Sequence, residues 1–372
     1  MESPLLEPQR FAPPVAPPRR QRRLDYIDLL RGLLMAHMAL DHCSYFFNAG
    51  RWADEFAAHQ PANPTSLAQF LTRFAGVFVA PGFSFMAGFM VATTSAARQA
   101  RGETERHITR WLIWRGLALI AAEALMFSLP FGHYRFDVLS CLGVGLLILA
   151  LLRQLPTKLL LPPTLALLAL HPLIDVSRLP RPLALLLYEP GEYGRLLVPH
   201  YPVLPWLGIL FAGFLVGRAA RRAPSPVRLF LGLALISLVL FFVVRLGNGY
   251  GNAYHHHGIT SLDFWIFAKY PPDLAWLSWS FATLLGLLAL LASLDLSRVQ
   301  AWIRPLLLFA RVPFFFYLLH FSLLFGLSMA LHKGSLLRTF GLWILLLAVM
   351  YGPCRAYAKK KAERPNLLTR LL

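Results

Sequence analysis

The stretch Asp25-Tyr-Ile-Asp-Leu-Leu-Arg-Gly-Leu-Leu-Met-Ala-His-Met-Ala-Leu-Asp-His42 decides how the chain is read, because it threads ionisable residues through a segment otherwise apolar enough to lie in lipid. Arg31, Met35, Met38 and His42 recur at three- and four-residue steps, so a helix places them on one face, with Asp41 on the adjoining flank. Along such a helix Arg31 and His42 stand about 16 Å apart. A charged side chain at the bilayer centre costs about 2.5 to 3.5 kcal/mol on insertion scales, so residues of this kind face a protein interior or a wet cavity and mark a functional site. The helix is therefore expected to wall an internal chamber.

The rest of the composition agrees with a chain built in lipid. Of 372 residues, 57% are hydrophobic and 15% charged, the profile of a polytopic membrane protein. The net charge of +18 falls in short clusters between apolar runs, as the positive-inside rule requires of cytoplasmic loops. No basic patch is interleaved with stacking aromatics on a soluble face, which argues against nucleic acid as a partner. Cys43, Cys141 and Cys354 lie in separate hydrophobic runs without metal-ligand or redox spacing. Pro13, Pro14, Pro17 and Pro18 followed by Arg19, Arg20, Arg22 and Arg23 read as an extended basic tail. No small-residue cleavage site follows, so the first apolar run is expected to stay as a membrane span.

Ten apolar runs are long enough to count as spans: 27–47, 70–95, 108–129, 136–152, 157–173, 203–218, 227–246, 273–293, 305–328 and 337–357. The fourth and fifth are short, and Pro162 and Pro163 are placed to bend or interrupt the fifth. The expected fold is all-α, a polytopic membrane bundle of about ten transmembrane helices over residues 24–358, with basic tails at 1–23 and 359–372. Basic residues mark one set of loops and both tails as cytoplasmic, in keeping with a bacterial inner membrane. The segment 174–202, with Asp175, Glu189, Glu192, Tyr193, His200 and several prolines, suits a structured outward lid.

A histidine is suited to general-base work because its pKa lies near the operating pH, and a neighbouring carboxylate fixes its tautomer or stabilises its protonated form. His42 beside Asp41 fits that description, and also fits a histidine that merely packs between helices. Arg73, Arg115 and Glu123 fall in or near the second and third runs; Arg115 and Glu123, about two turns apart, suit either a buried pair or a substrate groove. Lys269, followed by Tyr270, Pro271 and Pro272, is placed either to hold a phosphate or to snorkel to the interface. His320 lies in the ninth run with Arg311 and Tyr317 on nearby turns. Consecutive residues His255, His256 and His257 invite a metal reading, but no acidic or cysteine ligand is spaced to complete a site, so no metal is expected. Phosphate-loop, dinucleotide and serine-hydrolase fingerprints are absent.

At these residues the chain resembles a known family. Residues 23–35 and 38–42, Phe70-Leu-Thr-Arg-Phe74, Ala80-Pro-Gly-Phe-Ser-Phe-Met-Ala-Gly88, Trp114-Arg-Gly-Leu117, Tyr201-Pro-Val-Leu-Pro-Trp-Leu-Gly208, Lys269-Tyr-Pro-Pro272 and Arg311-Val-Pro-Phe-Phe-Phe-Tyr-Leu-Leu-His320 are similar to bacterial membrane proteins related to the catalytic domain of heparan-alpha-glucosaminide N-acetyltransferase. The Arg31 to His42 spacing also resembles the arginine, ten residues, histidine pattern of the wider transmembrane acyltransferase superfamily. The resemblance implies that an acyl group, acetyl in this family, passes from cytoplasmic acyl-CoA to a sugar or glycan acceptor at the outer face, with no tightly bound cofactor. It implies His42 as the catalytic histidine, Asp41 as its polar neighbour and Arg31 as a structural or CoA-side residue. Arg73, Arg115, Lys269, Tyr270, Arg311 and His320 are further substrate or CoA-binding candidates. The lysosomal enzyme's active histidine lies in the loop after its first helix, which makes His59 in Glu55-Phe-Ala-Ala-His-Gln60 an alternative catalytic residue. On the polar residues alone, a proton-coupled transporter or exporter of a small polar substrate is the competing reading.

Overall fold

The computed structural model describes residues 19–51, 66–129, 132–189, 191–194 and 197–363. Its helices are α1 (Arg19–Phe47), α2 (Leu67–Phe74), α3 (Val79–Gln99), α4 (Glu105–Glu123), α5 (Val138–Leu152), α6 (Thr157–Ala169), α7 (Arg181–Leu187), α8 (Val203–Arg222), α9 (Pro226–Gly247), α10 (Leu274–Ser293), α11 (Gln300–Arg311), α12 (Pro313–Ser328) and α13 (Leu336–Glu363). Two three-residue strands, β1 (Tyr134–Phe136) and β2 (Leu197–Pro199), pair in parallel. In lipid every backbone N–H and C=O needs an internal partner, which is why long apolar runs become helices. Side-chain caps supply partners at several helix starts: Thr104 accepts from the His107 amide, and Asp273 accepts from the Trp276 amide at 2.7 Å.

The protein is a helical membrane bundle, and each of the ten apolar runs of the sequence contains helix. Among the described residues six segments are long and apolar enough to cross a membrane: Leu67–Gln99, Glu105–Ser128, Val203–Arg222, Pro226–Gly247, Leu274–Ser293 and Leu336–Glu363. The run at 305–328 is two helices rather than one, since α11 and α12 meet at 91° across Val312; taken together they make a seventh, broken span. Pro313 begins α12, where its missing N–H costs nothing. Helices α5 and α6 are shorter, and α6 runs through Pro162 and Pro163 without ending there. The 29 residues of α1 exceed the length of a span, but its ionisable side chains separate it in character from the six.

That polarity is affordable because α1 lies inside the bundle, packed against α3, α10, α11, α12 and α13. Leu30, Leu34, Ala39, Cys43 and Phe47 are fully buried along it, and the Trp343 indole of α13 donates to its Ala36 carbonyl at 2.8 Å. The apolar outer faces of α9 (Leu235, Ile236, Val239) and α13 (Leu337, Ile344, Leu345) are exposed, as lipid-facing surface should be. The tightest approach is between α3 and α8. A Cβ on Gly88 would stand 1.8 Å from the Leu210 carbonyl oxygen, and one on Gly213 would stand 1.9 Å from that of Phe85, so both crossings require glycine.

Candidate functional site

Between the helices runs a cavity of about 600 Å³, within the range of small-ligand sites. Arg31, Met35, Met38, His42 and Phe46 of α1 all line it, so the face read from the sequence is the face that meets open space. It extends along α1 for about 22 Å of helical rise. Met86 and Met90 of α3, Arg115 and Glu123 of α4, and Tyr317 and Phe321 of α12 form facing walls.

His42 does not stand alone. Its Nδ1 lies 2.8 Å from Nε2 of His320, and the two rings are nearly coplanar, with 5° between their planes. His320 is fully buried, and its Nδ1 lies 2.8 Å from the Phe316 carbonyl oxygen one turn back on α12. A carbonyl only accepts, so His320 donates from Nδ1 and its Nε2 must accept. His42 in turn donates from Nδ1, which places its lone pair on Nε2. The chain of two donations fixes the tautomer of a histidine on the cavity wall, the arrangement a general base requires. Phe321 stands edge-on to the His42 ring at 5.4 Å between centroids and limits its rotation.

Asp41 takes a different partner set. Its Oδ1 accepts from Arg51 Nη1 at 2.9 Å and from Arg73 Nη1 at 2.6 Å, while Arg51 also donates to the Asp41 backbone carbonyl at 2.8 Å. The carboxylate thus ties the end of α1 to α2, an attachment reinforced by the Asn48 and Gln69 side-chain amides at 2.7 and 3.0 Å. In this arrangement His320 holds Nδ1 of His42, and Asp41 brings two guanidinium groups to the same end of the cavity.

The wall opposite carries Glu123, read from the sequence as a partner of Arg115 or a groove residue, together with groups that the sequence reading did not place in the site. Glu123 is buried, and its Oε2 accepts from the Leu139 and Ser140 amides at 2.9 and 3.3 Å, completing the N-terminus of α5 from a neighbouring helix. The parallel register Tyr134↔Leu197, Arg135↔Val198, Phe136↔Pro199 then brings the next residue of each strand together. Those residues are Asp137 and His200, joined by a short contact between Asp137 Oδ1 and His200 Nδ1, with Arg135 Nε donating to the other carboxylate oxygen at 3.0 Å. Burial pushes the Asp137 carboxyl up, but the His200 hydrogen bond and the charges of His200 and Arg135 more than offset it and hold the carboxyl below its usual range. Arg135, Asp137 and His200 all line the cavity.

Lys269 and Tyr270 enter from the segment before α10. The Lys269 ammonium lies 4.7 Å from the Tyr270 ring centroid and 6.0 Å from that of Tyr201. This segment is held in place by Arg245, fully buried at the end of α9, which donates to the Phe264 and Asp263 carbonyls at 2.8 Å each and to Asn252 Oδ1 at 2.6 Å. His171 adds a contact to the Pro272 carbonyl at 2.7 Å.

At the far end of the cavity the chemistry is cationic. Arg31 is bonded to Asp28 at 2.8 Å, and Arg115 lies 5.2 Å from the Trp111 ring. Arg98 covers the same ring at 4.4 Å. Lys361 of α13 comes within electrostatic reach of both Arg31 and Arg115.

Of the residues singled out from sequence, Arg31, Asp41, His42, Arg73, Arg115, Lys269 and Tyr270 line one cavity, and His320 stands directly behind His42. Arg311 is exposed at the bend between α11 and α12 and does not line it. His59 lies outside the described residues. The three consecutive histidines separate: His255 Nδ1 meets the Asn248 carbonyl, His256 Nε2 the Arg245 carbonyl and His257 Nδ1 the Asp263 carboxylate. Among the described residues no group of three His, Cys, Asp or Glu side chains is placed to hold a metal ion. Asp137, Arg135 and His200 were missed because only the pairing of two distant strands brings them together.

No curated protein matches the chain in sequence. The family model described as heparan-alpha-glucosaminide N-acetyltransferase, catalytic, matches residues 23–241, more than half of the chain and the part that supplies α1 to α8, His42 and His200. Taken with the helical membrane bundle and its polar, histidine-lined interior, that match places the protein in the heparan-alpha-glucosaminide N-acetyltransferase catalytic family.

Proposed function

We propose that this membrane acetyltransferase takes its acyl group from cytoplasmic acyl-CoA and transfers it, through the cavity along α1, to a sugar or glycan acceptor at the outer face. The observation that carries the reading is His42, fixed by His320 and lining the cavity within the same helical face as Arg31. The Arg31, Arg115 and Lys361 end offers positive charge to the donor's phosphates. The acyl thioester then lies toward His42, where the acceptor N–H or O–H gives its proton to Nε2 as its heteroatom attacks the carbonyl carbon and the C–S bond breaks. His320, accepting from Nδ1, keeps Nε2 as the basic atom throughout. The guanidinium groups beside Asp41 supply positive charge at the end where an oxyanion develops. An alternative course, in which His42 carries the acyl group transiently, uses the same Nε2.

Cytoplasmic entry of the donor is supported by the basic last turns of α8, with Arg221 and Arg222, and of α13, with Lys360 and Lys361, which also favour cytoplasmic termini. Reporter tags at both ends of the chain should be accessible from the cytoplasmic side. The decisive experiment is an assay of the purified protein in detergent with acetyl-CoA and glucosamine. Release of free CoA with formation of the acetylated sugar supports the reading, whereas a protein that leaves both compounds unchanged in detergent but moves one of them across a sealed membrane is a transporter.

A further inference from the structure

Helix α11 stands apart from the rest of the bundle in direction. It meets α12 at 91°, and the 16 residues of α12 rise about 24 Å, most of the roughly 30 Å of a hydrocarbon core. An arm of that length leaves α11 running along the membrane boundary. Its apolar side, with Ile303, Leu306, Phe309 and Ala310, is turned to the core, and it sits tightly on α1: a Cβ on Gly32 would stand 2.2 Å from the Leu306 carbonyl oxygen. Gly32 adjoins Arg31, so this boundary is the one at the Arg31 end of the cavity. The outward side is basic. Arg304 and Arg311, seven residues and so about two turns apart, share one exposed face, and Arg298 stands 85% exposed just before the helix. Asp295, 3.7 Å from Arg298 Nε, is the one carboxylate between residues 294 and 311. Helix α13 packs against α11 and adds exposed Arg355, Lys359 and Lys360 at its end. Trp302 leaves the first turn of α11 on the apolar side, yet it is 86% exposed.

We infer that α11 is an interfacial helix that seats the Arg31 end of the bundle on anionic phospholipid headgroups, with Trp302 at headgroup level and Arg298, Arg304 and Arg311 paired with lipid phosphates. A helix lying in the interface is held by its apolar side together with attraction to anionic lipid, and each exposed arginine gains from the negative surface potential of such a leaflet. The indole is matched to the same depth, because its ring is apolar while its N–H stays within reach of water. Arginines alone would serve a free phosphate equally well. The exposed tryptophan gains nothing from a small anion, and it is what makes the partner a lipid surface. Through Gly32 and Leu306 the seat of α11 is also the seat of α1, so lipid bound to one stabilises the bundle as a whole. A thermal melt therefore reads the binding.

The test compares melts of the purified full-length protein in a neutral detergent with added phosphatidylglycerol, phosphatidylcholine or inorganic phosphate. Phosphatidylglycerol should raise the melting temperature by about 3 °C or more, the other two by much less, and about 1 M salt should remove most of the gain. The combined variant Arg298→Gln, Arg304→Gln, Arg311→Gln should lose it. Equal gains from the two lipids, an equal gain from phosphate, or a gain that the combined variant keeps overturns the inference. Should that variant fail to fold, depth decides. Cys43, Cys141 and Cys354 are buried, so a fluorophore can be placed at Ala301→Cys, exposed beside Trp302, in vesicles of phosphatidylcholine and phosphatidylglycerol. A nitroxide lipid labelled at the headgroup should quench it more than one labelled at mid-chain. Stronger quenching from mid-chain, which puts α11 inside the hydrocarbon, or quenching from neither, which puts it in water, overturns the inference.

Discussion

The two ends of the cavity are built on different principles. At the Arg31 end, cations from α1, α4 and α13 gather with Asp28 as the carboxylate bonded to Arg31, an arrangement that leaves net positive charge for a ligand. At the His42 end, imidazoles and guanidinium groups are held by neighbours on other helices: His42 by His320, Asp41 by Arg51 and Arg73, and His200 by Asp137. One end is suited to attract charge and the other to fix geometry. On the acetyl-transfer reading, binding energy and proton transfer would thereby be separated along a single helix.

The sharpest way to break this division is His42→Ala, which should lower acetyl transfer by about two to four orders of magnitude while the protein still inserts and purifies as a folded species. If turnover survives and His59→Ala abolishes it, the chemistry belongs to the segment after α1. Gly88→Ala tests the scaffold common to both ends: its methyl group would collide with the Leu210 carbonyl, and overpacking of this kind costs about 1 to 3 kcal/mol or more. The expected result is a lowered melting temperature in detergent. Arg31→Ala and Arg115→Ala should each raise the KM for acyl-CoA about tenfold with kcat little changed, the pattern of lost uniform binding. A fall in kcat instead would move the Arg31 end into the reacting geometry. Asp137→Asn gives the smallest expected effect on stability. A carboxyl held below its usual pKa contributes stability that is present above its unfolded value near 3.8 and is lost as pH falls through the lower folded value. The variant should therefore lose less stability than wild type on acidification below about pH 4, read from thermal melts at stepped pH.

Much of the bundle and half of the site are legible in the sequence, and the physical reason differs between them. Hydropathy finds the apolar runs because lipid imposes a length and a composition on each, and the helical period finds the Arg31 to His42 face because those residues share one element. Geometry between elements leaves no such trace. The 91° break between α11 and α12 lies inside one continuous apolar run, with Pro313 as its single local sign, and the same break leaves Arg311 exposed while turning His320 inward. The pairing of His320 with His42 depends on that turn. Asp137 and His200 are brought together by three residues of parallel strand too short to stand out in the sequence. From the segment 174–202, expected as an outward lid, His200 and Tyr201 line the cavity.

The straight run of cavity along α1 also acts as a gauge. Arg31 and His42 are fixed on one continuous helix whose middle is locked against α13 through Trp343, so the distance between them, about 16 Å, cannot adjust to the visitor. On the acetyl-transfer reading, a donor anchored by its charge at one end and reacting at the other must carry its anion and its reactive carbonyl that far apart on a slender, flexible arm. Acyl phosphates, in which the two groups are bonded directly, satisfy one end only. Discrimination among donors would then be exercised by reach, before any contact with the acyl group itself.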